Sequence, residues 1–126
     1  MENNVKELAK IKSASLNIKD RGILTFWLEV DYENGFSQMI GGLALDKHID
    51  GYNDRVGTAY GCEMIRRMLV LLNVGDFSEM VGKYIWVIGE GDGCTFDVKG
   101  ISALKVDGGK KDLIFKDVLE ETKNWN

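Results

Sequence analysis

Three of the chain's four arginines, Arg55, Arg66 and Arg67, lie in the stretch GYNDRVGTAYGCEMIRRMLVLLN, Gly51 to Asn73. This is a glycine-punctuated loop that runs into the one long helix the apolar spacing supports. A helix N-terminus presents N–H groups without intrahelical partners, and guanidinium groups beside it add paired donors. Such a stretch is suited to holding a compact phosphorylated anion. Arg55 reads either as a clamp closing over the anion or as a surface ion pair with its neighbour Asp54. Thr58 is the expected N-cap, and with Arg55 and Arg66 it makes the expected phosphate-holding set. Arg66 and Arg67 point about 100° apart around the helix, so they do different work. Arg67 is placed to pair with Glu63 four residues earlier. Arg66 either sits on a solvated face or reaches a phosphate or a partner subunit.

Other chemistry finds less support. No GxSxG elbow, Walker loop or HExxH is present, so the chain is not expected to be an enzyme. GEGDG, Gly89 to Gly93, looks like a glycine phosphate loop but lies between strands and reads as a hairpin turn. Glu90, Asp92 and Asp97 have no spacing that favours a metal, and the single histidine, His48, cannot build a zinc site alone. Cys62 and Cys94 read as reduced, buried thiols. No metal and no cofactor are expected.

The 126 residues fit one domain, 1–126, large enough to bury a core without disulfides. Residues 1–6 are expected to fray. Residues 112–126 form a tail, expected as a short edge strand, a helix turn or both, and open to exchange or packing at an oligomer interface. No apolar run approaches the roughly 20 residues of a membrane span, and the N-terminus has no signal core, so a cytosolic protein is expected. The net charge of −4 opposes binding to a long nucleic acid but leaves room for a small anion in a local positive pocket.

The elements that must position these residues follow from pattern. In KIKSASLNIKD, alternation places Ala14, Leu16 and Ile18 inward on a half-buried strand. Asp20-Arg21-Gly22 and Glu33-Asn34-Gly35 are hairpin turns around the strongest strand, GILTFWLEVDY. Phe26 and Trp27 are neighbours there and face opposite ways, so one is a candidate dimer face or base-stacking platform. GFSQMIGGLALD is a third strand whose Gly41-Gly42 marks a bulge, or a place where a ligand or second subunit lies against bare backbone. Lys47 to Gly57 reads as a long polar loop. Tyr60, Met64, Met68 and Leu71-Leu72 form the helix stripe, and Gly61 is expected to allow close packing. Asp76 to Glu79 reads as a capping box. KYIWVIG and CTFDVKGISALKV are further strands, the second bulged at Gly100. The expected fold is α+β: a curved antiparallel sheet of five to six strands with one main helix packed on it.

Taken in order, the blocks DRGILTFWLEVDYENGFSQMIGGLALD, RVGTAYGCEMIRRML and NVGDFSEMVGKYIWV resemble small phage proteins, nearest among them the first-described anti-Thoeris family. The resemblance covers roughly Ile11 to Ile101. It implies a phage-encoded, anti-defence viral sponge in the host bacterial cytoplasm. Such a protein binds a cyclic ADP-ribose isomer made by bacterial TIR-domain proteins and does not cleave it. It also implies a homo-oligomer built from dimers, with pockets where protomers meet, and in some relatives separate sites for cyclic oligonucleotides. On this reading Arg55, Thr58 and Arg66 would hold the pyrophosphate, and Phe26 or Tyr60 would stack on the base. A protein–protein inhibitor of a host defence factor, an enzyme degrading a nucleotide signal and a single-strand DNA-binding protein are the alternatives.

Overall fold

The computed structural model describes residues 4–51, 54–91, 96–104 and 112–125. Strands β1 (Val5–Asp20), β2 (Ile23–Tyr32), β3 (Ser37–Gly41), β4 (Asp46–His48) and β5 (Arg55–Gly57) precede the helix α1 (Ala59–Leu71). A 3-10 turn, Phe77–Met80, then leads to β6 (Tyr84–Glu90), β7 (Asp97–Ala103), β8 (Asp112–Ile114) and the helix α2 (Phe115–Thr122). Six strands form one antiparallel sheet in the order β3-β2-β1-β6-β7-β8, and β4 and β5 form a separate two-stranded ribbon. The fold is the expected α+β class, with a second helix and an extra ribbon.

The turns explain the pairing. Arg21 and Gly22 take φ of +55° and +76°, the left-handed pair of a two-residue hairpin whose twist matches its strands. Between β2 and β3, Gly35 N–H donates to Tyr32 O and Gly35 sits at φ +91°, the usual end of a three-residue loop.

The core lies on one face of the sheet. Ala9, Ile11, Phe26, Leu28, Val30, Ile40, Ile85, Val87, Ile101 and Leu113 meet Met64, Met68 and Leu72 from α1, Met80 from the 3-10 turn and Val118 from α2. Burial of each large side chain contributes about 1.5–3 kcal/mol before entropy.

Strict alternation along β1 fails because the register shifts between Ile11 and Ser13. Ile11 opposes Val30 and Ala14 opposes Leu28, so Lys12 is the extra residue of a bulge. That bulge lets Ile11 and Ala14 share the core face, where simple alternation separates them. Leu16 and Ile18, expected inward, are exposed instead, at the hairpin end of β1, which no described residue covers. The strand begins at Val5, inside the stretch expected to fray.

The polar segment from Lys47 to Gly57, expected as a loop, contributes Lys47 and His48 to β4 and Arg55 to Gly57 to β5. Alternation over three residues is too short a signal to read. In the tail, both expected elements occur in succession: β8 pairs with β7, and α2 packs back against α1. Asp76 caps the 3-10 turn by accepting from Ser78 N–H at 3.1 Å, while Glu79 reaches back to Gly75 N–H at 3.0 Å.

Candidate functional site

Thr58 starts α1 as the sequence suggests. Its φ of −120° is extended, and its hydroxyl oxygen accepts from Gly61 N–H at 3.0 Å. The same hydroxyl donates to Leu45 O at 3.0 Å. Leu45 O also lies against Gly61, where an added Cβ would fall inside the carbonyl. The first turn of α1 is therefore locked against the chain entering β4, and only glycine fits at the contact.

A cleft of about 300 Å³ opens beside this turn. Ala44, Asp46, Thr58, Ala59 and Tyr60 form one wall, and Leu119, Thr122 and Lys123 of the α2 end form the other. Tyr60 is half-buried, and that burial pushes its phenol above the ordinary value, so it is a neutral donor at pH 7. The Thr122 hydroxyl donates to Val118 O at 2.9 Å and keeps acceptor capacity. Lys123 brings an exposed ammonium whose partner, Glu120, is itself exposed at 3.0 Å, a pair that water screens heavily.

Asp46 lies where the cleft meets the ribbon. Burial alone would raise its carboxyl, but the hydrogen bond from Arg55 and that from Leu24 N–H prevail and hold it below its ordinary value. Arg55 donates through Nε to Oδ1 at 3.0 Å and through Nη2 to the Asp46 main-chain oxygen at 3.1 Å. Asp54, the partner expected for Arg55, instead accepts from the Arg55 main-chain N–H at 2.7 Å.

The five residues singled out from the sequence separate accordingly. Thr58 and Tyr60 line the cleft. Arg55 stands behind its wall, held by Asp46. Arg66 is on the exposed side of α1, with no ion pair to any described residue, and is not among the cleft's lining. Phe26 is wholly buried and meets Phe115 edge-on at 6.1 Å, so it presents no face to a base. Its neighbour Trp27 faces the other way, and its ring lies where a Cβ on Gly42 would go. The bare backbone at Gly41-Gly42 thus accommodates the chain's own Phe26 and Trp27. Cys62, expected buried, is exposed on α1.

Arg67 pairs with Glu63 as the spacing suggests, at 2.9 Å, and also with Glu121 of α2 at 3.0 Å. The second link, like the cleft itself, depends on α2 folding back. No spacing near Arg67 points to that, although Val118 and Thr122 at i and i+4 mark the buried face of α2. Among the described residues no group of three or more His, Cys, Asp or Glu is placed to hold a metal ion, and no helix is long and apolar enough to cross a membrane. Glu90 closes β6 and Asp97 opens β7; Asp92 and Cys94 lie outside the described residues.

Compared with models of protein families, with curated proteins and with solved structures, the chain matches none of them.

Proposed function

We propose that the chain is a phage-encoded immune-evasion protein that binds a cyclic ADP-ribose-type signalling nucleotide and sequesters it without cleaving it. The ligand's identity rests on the resemblance of the sequence blocks. The observation that supports binding is the cleft at the start of α1, where Tyr60, Thr58 and Lys123 converge on about 300 Å³. That volume is at the small end of ligand pockets, which run roughly 300–1,000 Å³. In this reading the Lys123 ammonium meets the pyrophosphate as a point charge, and Tyr60 offers both a hydroxyl and a ring. Arg55 does not act as a free clamp here, since Asp46 already holds it. Assembly into dimers in the host cytoplasm belongs to the same proposal.

The test exposes purified protein to a cyclic ADP-ribose isomer, follows the melting temperature, and analyses the small molecules released on heating by mass spectrometry. A raised melting temperature with intact ligand recovered is the expected result. No shift and no recovery would end the proposal. Recovery of a converted nucleotide would replace the sponge with an enzyme.

A further inference from the structure

The sheet ends at β3, a five-residue edge whose last residue, Gly41, turns to φ +119°. Its residues, Ser37-Gln38-Met39-Ile40-Gly41, include no proline and no charge, and among the described residues no strand pairs with its outer side. The opposite edge, β8, is three residues long and runs straight into α2.

The hydrogen-bond phase shows which groups point outward. Tyr32 N–H donates to Phe36 O at 2.8 Å, and Gly42 N–H donates to Phe26 O at 2.8 Å. In an antiparallel pair, residues that bond to the neighbour alternate with residues that bond away from it. Phe36, Gln38, Ile40 and Gly42 therefore face β2. The main-chain N–H and C=O groups of Ser37, Met39 and Gly41 face outward. Exposed apolar side chains accompany them, Phe36 at 54% and Met39 at 52%.

We propose that the free edge of β3 pairs with β3 of a second copy, antiparallel, about a twofold axis through Met39. In that register Met39 opposes its own counterpart and Ser37 opposes Gly41. Every outward N–H and C=O of the three residues then finds a partner, and the strand is complementary to itself as a twofold interface requires. The side chains agree. The row across the axis reads Glu29, Met39, Met39, Glu29, with thioethers at the centre and two strands between the carboxylates. The adjacent row sets Asp31 and Ser37 against Gly41 and Trp27 of the other copy. No like charges sit directly opposite, the arrangement that would disfavour pairing. A longer foreign strand would gain no further main-chain bonds from an edge this short, so a second copy is the better occupant.

This gives the proposed assembly a surface. None of the residues that line the cleft lies on β3, so pairing and ligand binding can fail independently. The test uses the whole chain without ligand. Sedimentation measures the dimer dissociation constant, and amide hydrogen exchange is followed at low and high protein concentration. The Met39 amide should become protected as the dimer fills, while amides on the exposed side of α1 do not change. Met39→Lys, which sets like charges together on the axis, should weaken the dimer tenfold or more. Met39→Pro, which removes the outward donor, should do the same. Val70→Lys, on α1, should leave the dimer intact. A chain that stays monomeric at millimolar concentration, a Met39 amide indifferent to concentration, or a dimer unaffected by Met39→Lys would each overturn the proposal.

Discussion

Arg55 grips Asp46 diagonally across the β4–β5 ribbon: its Nε and Nη2 each lie 3.0 Å from the same carboxylate oxygen. The other oxygen accepts from Leu24 N–H at 3.1 Å, so one side chain ties the ribbon to β2 and holds the arginine. This tie has a pH signature. A carboxyl held below its unfolded value of 3.8 contributes stability that is complete above that pH and is lost as pH falls through the lower folded value. Urea unfolding followed between about pH 3 and 7 should show that loss at the acid end. Asp46→Asn should remove part of the acid slope and lower stability at pH 7 by about 1–2 kcal/mol. An acid limb identical in the variant would show that Asp46 is not the group responsible.

Gly61 should resist replacement even though alanine is the better helix former. Alanine gains roughly 1 kcal/mol of propensity in a helix interior. Here its methyl meets Leu45 O, a main-chain atom that cannot swing away, and overpacking of this kind costs about 1–3 kcal/mol. Gly61→Ala is therefore expected to lose stability. Gly75→Ala, whose methyl would come no closer than 3.7 Å to the Glu79 carboxylate, is expected to lose none. Denaturant midpoints of the two variants, read side by side, check the contrast.

Much of this fold could be read from the chain because its signals are local. Asp20-Arg21-Gly22 and Asn34-Gly35 carry the chemistry of their turns, and Thr58 followed by a stripe of methionines announces α1. What escaped depends on contacts between distant residues. The bulge at Lys12 is visible only once Ile11 has met Val30, and the ribbon only once Arg55 has found Asp46. The same limit governs the site. Thr58 and Tyr60 could be found because they begin a helix, whereas Leu119, Thr122 and Lys123 reach the cleft from the other end of the chain. Arg55 and Arg66 were attractive as cations near that helix, but a carboxylate holds one and the other points into solvent.

Thr58 makes two bonds with one hydroxyl, and substitutions can separate them. Thr58→Ala removes both the cap to Gly61 N–H and the bond to Leu45 O, with an expected cost of about 1–2 kcal/mol. Thr58→Ser keeps the hydroxyl and should recover most of that. Thermal unfolding of the pair provides the measurement. Equal losses in both variants would mean that the methyl group, and not the hydroxyl, matters.

The proposed ligand site makes a prediction that sets the cleft against the arginine face of α1. If the anion lies between Tyr60 and Lys123, Lys123→Ala should weaken binding of a cyclic ADP-ribose isomer about five- to tenfold, the loss of one charge-assisted contact of roughly 1–1.4 kcal/mol. Arg66→Ala should not change the affinity, because Arg66 is not part of the cleft. Both side chains are exposed and neither holds the fold together, so unfolding does not confuse the comparison. Calorimetric titration of the two variants gives the answer directly. A loss on removing Arg66 with none on removing Lys123 would move the ligand to the outer face of α1, where the guanidinium and not the cleft would be the recognising element.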